Sequence, residues 1–229
     1  MNMLLKTSLA AVLAVAGTAV AAVPASAQVA GIATSSPEAT ILQSQARING
    51  YNQISQTYAS QIQQISTARQ ELQTLQQSLD GNNDRNVTQA EIDAKPAVWQ
   101  QVEAKQNQID QLSTPIVMAQ YYVIEQLLGR YGEAQQQVIQ QKNIQIMLTP
   151  EAFQYAADGA NVTPDILAAL NTLVPSVSTT PPAGFQPRRE TAALHQSIQQ
   201  LIIAAATQQA RQQAAQGAAQ PAQQQPTGR

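Results

Sequence analysis

Two long amphipathic stretches of nearly equal length, residues 37–79 and 96–141, flank a polar segment at 80–95. At 1.5 Å per residue the helices they predict would span about 64 and 69 Å. Equal lengths on either side of one sharp turn predict an antiparallel hairpin, far too elongated for a globular domain. Such a shape is better suited to holding other molecules than to catalysis.

The apolar pattern of the hairpin is a coiled-coil seam. On the first stretch Tyr51, Tyr58, Ile65, Leu72 and Leu79 recur every seven residues. Ile48 and Ile62 supply the second heptad position, which Ser55, Arg69 and Gln76 interrupt. The return stretch repeats the pattern with Val102, Ile109, Ile116 and Val123, interleaved with Lys105, Leu112 and Ala119. After Val123 the phase slips by four residues to Leu127, Tyr131, Ala134 and Val138, an insertion that locally unwinds a coiled coil. Gly129 and Gly132 lie in that slip, each costing about 1 kcal/mol against Ala in a helix, and together they predict a bend or splay near the hairpin's base. The polar interruptions predict a seam that is neither dry nor rigid.

What precedes the hairpin assigns a compartment. Residues 1–27 carry Lys6, an apolar run over 9–23 and Ala25-Ser26-Ala27, the charge, apolar core and cleavage end of a secretory signal peptide. Cleavage near Ala27 would leave 11 basic against 14 acidic residues, net −3. There is no other apolar run of membrane length and no cysteine, so the exported chain has neither disulfide staples nor thiol chemistry. Only 11% of residues are charged and 4% aromatic, while Gln and Ala abound. These are good helix formers, and a Gln-coated surface is polar without charge.

Short elements bracket the hairpin. Residues 28–33 predict a brief strand, within an opening segment of 28–36, and Ser36-Pro37-Glu38 reads as a helix N-cap with a first-turn proline and acid. Beyond the hairpin, residues 143–148 alternate polar and apolar as a half-buried strand does. Residues 152–156 carry Phe153 and Tyr155, and Thr163-Pro164-Asp165 starts a helix reaching about Leu173. So few short strands are not stable alone, which predicts association with further copies.

The order of signal peptide, short strand, long hairpin, closing strand pair and short helix resembles the Skp/OmpH-like periplasmic chaperones of Gram-negative bacteria. The likeness is most specific in Asn143-Ile144-Gln145-Ile146-Met147-Leu148, in Ala152-Phe153-Gln154-Tyr155, and in Asn161-Val162-Thr163-Pro164-Asp165-Ile166-Leu167. It covers residues 29–174. The resemblance implies a mainly α fold in which a long antiparallel hairpin projects as a coiled-coil tentacle from a small β-strand trimerisation body. It also implies a periplasmic, ATP-independent holdase that shelters unfolded outer-membrane proteins between the arms of a homotrimer. Tyr51, Tyr58, Tyr121 and Tyr122 are then the candidate client contacts. Two features depart from the family. Its members are often basic, whereas this chain is slightly acidic, so electrostatic capture of acidic clients or lipopolysaccharide is not supported, and charge does not favour peripheral membrane contact. The tip and the C-terminal tail are additions.

The tip carries its own signal. Over residues 80–91, Asp80, Asn82, Asp84 and Glu91 occupy positions 1, 3, 5 and 12 of an EF-hand calcium loop. Asn86 at position 7 would offer its backbone carbonyl, and Val87 is the apolar residue at position 8. Arg85 stands where the turn wants glycine, and Pro96 shortens the exit helix. The alternative is a polar Asn/Asp-rich turn. Apart from this calcium the reading requires no cofactor.

Nothing points to an enzyme or a nucleic-acid partner. The single histidine, His195, excludes a His-based metal cluster or Ser-His triad, and its expected place is a solvated face of a tail helix. No basic patch suits nucleic acid. Residues 175–187, rich in Pro, Ser and Thr, predict an extended linker. In the tail that follows (188–229), Leu194, Ile198, Leu201 and Ala205 share a helical face ahead of a low-complexity Gln/Ala end. A docking or trimer-supporting helix and a tail that is helical by propensity alone both fit that face. Besides the holdase, two rival readings stand: a structural coiled-coil protein of the envelope, and a calcium-responsive binding module.

Overall fold

The computed structural model describes residues 31–82 and 84–218. The expected signal peptide, the first residues of the expected opening strand and the end of the tail lie outside them. Strand β1 (Ile32–Thr34) leads into helices α1 (Pro37–Gln43), α2 (Gln45–Thr57) and α3 (Ala59–Leu79). The short α4 (Gln89–Ala94) turns the chain into α5 (Pro96–Lys142), and β2 (Ile146–Leu148), α6 (Thr163–Leu173) and α7 (Arg189–Ala218) follow. The fold is mainly helical, with one two-stranded sheet. No helix of the described residues is long and apolar enough to cross a membrane.

The return stretch is one helix of 47 residues, about 70 Å long. It runs through Pro115, which has no N–H for the carbonyl one turn back. Beside it the Ser113 and Thr114 hydroxyls donate to the carbonyls of Ile109 and Asp110. The helix ends at Asn143, whose left-handed backbone (φ 53°) closes the last turn. Gly129 and Gly132 do not break it, contrary to the expected bend or splay: both sit on the exposed side with open space where a Cβ would stand.

The first stretch, expected as one helix, is three. Ser44 ends α1 and starts α2: its backbone is extended, and its side chain accepts from the Arg47 N–H at 3.3 Å. The joint at Tyr58 is looser, because Tyr58 N–H still reaches the Ile54 carbonyl and Ile62 N–H reaches Tyr58, each at 2.9 Å.

α3 runs back along α5, with Lys105 Nζ 2.6 Å from the Glu71 carboxylate midway. Ile65 and Leu79 are buried and Tyr51, Tyr58 and Leu72 half-buried, as the seven-residue repeat predicts. The second position is corrected. Ile48 and Ile62 point outward, at 40% and 41% exposure. Three residues after each of the first four members of the main repeat stand Ile54, Gln61, Ala68 and Leu75, and these face α5 as buried or half-buried residues. On α5 the stripe is Val102, Ile109, Ile116, Ala119 and Val123, then Leu127, Tyr131, Ala134 and Val138, so the four-residue slip is real. At the slip Val123 and the adjacent Ile124 are both fully buried, because α5 there meets α1 and α2 as well as α6 and α7.

At the base β1 pairs with β2 in parallel, Ile32 opposite Ile146 and Thr34 opposite Leu148. Gly31 (φ 77°) lets its carbonyl accept from Gln145 and Ile146 N–H at 2.7 and 2.8 Å, and a Cβ there would meet the Gln145 side chain at 3.0 Å. The strand expected at 152–156 does not form. The far side of β1 is taken by Asn161, bridged to Thr34, and by Val162, whose N–H reaches the Thr34 carbonyl at 2.9 Å. A 3-10 turn (Pro150–Ala152) and irregular chain occupy that span instead. α6 is started by the Asn161 side chain, which accepts from Thr163 N–H at 3.0 Å, and it buries Ile166 and Leu170.

Alanine at Gly129 and Gly132 fits the open space and removes the glycine penalty, about 0.5–1 kcal/mol at each site. The double variant should melt several degrees higher by circular dichroism; an unchanged or lower midpoint would show that α5 needs freedom at its base.

Candidate functional site

Residues 175–187 are not a free linker, and the first turns of α7 are not a solvated tail. The chain leaves α6 and lies as a strap on the base of α5. Val177 packs into the core, and its methyl stands 3.1 Å from the Cβ position of Gly50. The Gln126 side chain pairs with the backbone of Ser178 on both sides, accepting from its N–H at 3.0 Å and donating to its carbonyl at 2.9 Å. Phe185 meets Tyr122 edge to face, ring centres 5.1 Å apart. α7 then docks through Thr191, Leu194 and Ile198, while residues 201–215 are exposed.

Glu125 holds the point where strap becomes helix. It accepts from the Arg188 backbone N–H at 3.2 Å, from Arg188 Nε at 3.0 Å and from the fully buried Thr191 hydroxyl at 2.9 Å. A carboxylate at the start of a helix also meets its positive dipole end. Burial works against the charge on Glu125, but the Arg188 N–H, the Thr191 hydroxyl and the Arg188 guanidinium together prevail and hold its pKa below the ordinary 4.5.

The four candidate contact tyrosines divide. Tyr121 lies edge-on to His195, ring centres 4.9 Å apart, and Tyr122 lies under Phe185. Tyr51 is half-buried beneath the Arg47 guanidinium, 4.2 Å from the ring centre, and close enough to Tyr121 to feel its charge. Desolvation pushes the Tyr51 phenol up to about 12 although Arg47 opposes it. These three gather at the base under the C-terminal segment, whereas Tyr58 stands apart at the α2–α3 joint. His195, expected on a solvated face, is half-buried. The sequence reading missed Arg47, Glu125, Gln126 and Phe185.

The arm above the base is open. A groove of about 530 Å³ beside the seam is lined by Ile62, Ile65, Arg69, Ile116, Val117 and Gln120 among others. A second, of about 570 Å³, lies nearer the tip between Leu75, Ala104 and the Glu71–Lys105 pair. Each mixes aliphatic and uncharged or charged polar side chains.

At the tip Asp80 accepts from the N–H of Asp84 at 3.2 Å and of Arg85 at 2.8 Å. Asn82 accepts from Asp84 N–H, and Asp84 from Asn86 N–H, at 2.9 and 2.8 Å. Arg85 adopts the left-handed backbone (φ 67°) of the sixth loop position. Glu91 turns to the Thr88 N–H and hydroxyl and to the Gly81 N–H, at 2.9, 2.8 and 2.7 Å. These bonds, Thr88 first, hold its carboxyl below the usual value. Among the described residues no three acidic or histidine side chains gather as a metal site. Lys95 Nζ donates to the Ser78 and Leu79 carbonyls and closes the end of α3 over the buried Leu79.

Glu125→Gln should loosen the docked turns of α7 by about 1 kcal/mol, as expected for a half-exposed charged network. The contribution of Glu125 is present above pH 4.5 and lost as pH falls through its depressed value. Amide exchange over residues 189–199 checks both statements.

The chain is similar to the crystal structure of a Caulobacter crescentus protein provisionally described as an OmpH-like outer membrane chaperone: 17% identity, 69% of this chain and 90% of that one covered, TM-score 0.41. No protein-family model and no curated protein matches it.

Proposed function

We propose that the protein is an exported, ATP-independent holdase that keeps unfolded outer-membrane proteins from aggregating in the periplasm. The observation that carries this reading is the arm itself. It is α3 packed antiparallel on the first half of α5, about 30 Å long, flanked by shallow grooves where Ile62 and Val117 stand among Arg69, Gln120 and other polar groups. A client held by many such weak contacts is shielded yet leaves again, which one deep pocket does not allow. With Tyr51, Tyr121 and Tyr122 covered, Tyr58 and the groove aliphatics are the contacts this reading assigns to the client. The body supports a homotrimer: Ile146 and Leu148 of β2 are exposed, and Tyr155 is 84% exposed. Those side chains suit a surface shared between copies.

Dilution of a urea-unfolded outer-membrane β-barrel protein, with and without this protein, tests the reading by light scattering. Suppression near one trimer per client is expected. No suppression by a folded trimer would make the protein a structural coiled coil.

A second reading concerns the tip, where the left-handed Arg85 and the inward-turned Asp80, Asn82 and Asp84 favour calcium. The ion would draw on Asp80, Asn82, Asp84, the Asn86 carbonyl and Glu91 once the last leaves its own hydrogen bonds, with affinity in the roughly 10⁻⁴–10⁻³ M range of extracellular loops. Calorimetry should show binding that Asp80→Ala abolishes; no heat at several millimolar calcium would leave the tip a polar turn.

A further inference from the structure

We propose that residues 175–199 are a detachable cover on the base of α5, and that protonation of His195 releases it and uncovers Tyr121 and Tyr122. The inference does not depend on what the arms hold.

The geometry places the chain's single histidine in the middle of a short interface that offers it no anion. From α5, the Tyr121 ring stands nearly perpendicular to the imidazole, 77° between planes, and Gln120 Oε1 is 3.3 Å from Nε2. From its own helix, Gln199 Nε2 is 3.4 Å from the same atom. From α2, the charge of Arg47 bears on it, with Tyr51 beneath the guanidinium. Glu125 is held by Arg188 and Thr191. Glu38, the acid of α1, accepts from the Ser36 hydroxyl at 3.0 Å and lies toward Tyr131. Among the described residues no carboxylate pairs with Arg47 either, which is 7% exposed and donates to the Leu42 carbonyl.

A neutral ring suits this place, since Nε2 either donates to Gln120 or accepts from Gln199. A charged ring can only donate, so the Gln120 bond alone is open to Nε2, and the charge sets a second cation beside a buried one. Desolvation first, and Arg47 second, hold the ring below its ordinary value of 6.5. Docking therefore has its full strength above pH 6.5 and weakens as pH falls below it. The cover can come away as a unit because it is tied down at few points. Val177, Ser178, Phe185 and Glu125's partners hold the strap, and Thr191, Leu194 and Ile198 hold the helix. Segments with so few buried contacts open locally without global unfolding.

The test uses the full chain without a histidine tag, so that the ring of His195 gives one titrating nuclear magnetic resonance signal. That signal should titrate below a free histidine. Amide exchange over 189–199, corrected for intrinsic pH dependence, should accelerate several-fold from pH 7.5 to 5.5 in the wild type and stay level in His195→Gln. Glu125, held below 4.5, stays charged in that window. A ring titrating at the free value, equal acceleration in wild type and variant, or acceleration shared by α2 and α5 would each overturn the proposal.

Discussion

Two adjacent residues of one helix, Val123 and Ile124, are both fully buried, and the architecture of the base follows from them. Neighbours on a helix point about 100° apart, so one packed partner cannot cover both. α5 must be approached from more than one direction, and the chain packs α1, α2, α6, the strap and α7 around it. Gly50 makes the crowding possible. It lies inside α2, where it costs about 1 kcal/mol against Ala, yet a Cβ there would stand 3.2 Å from Val123 and 3.1 Å from Val177. Helix propensity is sacrificed where three segments converge.

Toward the tip α5 packs against α3 and the short α4, and the balance changes. Gln61 and Lys105 take seam positions, and the Glu71–Lys105 pair is too exposed to add more than about 1 kcal/mol. What holds the outer arm is the spaced burial of Ile65, Ala68, Ile109 and Ile116, together with the knot at Leu79 and Lys95. Packing along the hairpin therefore thins away from the base, and the arm opens locally where the grooves lie. A rigid base carrying a compliant arm is a direct result of where the chain has large apolar residues to spend.

Much of this was legible. The heptads of α5, the phase slip and the unbroken length of α5 follow from period alone, whereas the breaks of the first stretch at Ser44 and Tyr58 do not. The second seam position of the first arm did not, because Gln61 and Ala68 fill it while the more apolar Ile48 and Ile62 face outward; hydrophobicity misled where small size and side-chain reach decided. The absent strand at 152–156 has a similar cause. Its alternation is a local property, but pairing depends on β1, three residues long and already flanked by Asn161. The strap was illegible for a different reason. Pro, Ser and Thr say only that a segment will not be regular, and nothing in them says whether it is tethered. Its order comes from single side chains elsewhere: Gln126, Tyr122 and Glu125 on α5.

Those tethers differ in kind from the core. The Gln126–Ser178 pair and the Glu125 cluster each satisfy several backbone or side-chain groups in one geometry, so they fix where the strap lies more than how tightly. Apolar contacts such as Val177 and Ile198 supply attraction but tolerate sliding along a stripe of similar residues. Had the cover been held by apolar residues alone, α7 could have docked one turn up or down, since Leu201 and Ala205 continue the same face. With Glu125 joined to Arg188 and Thr191, only one register places His195 against Tyr121. The polar cluster thereby decides which side chain meets the Tyr121 ring, and a cover held in one register is also one that comes off as a unit.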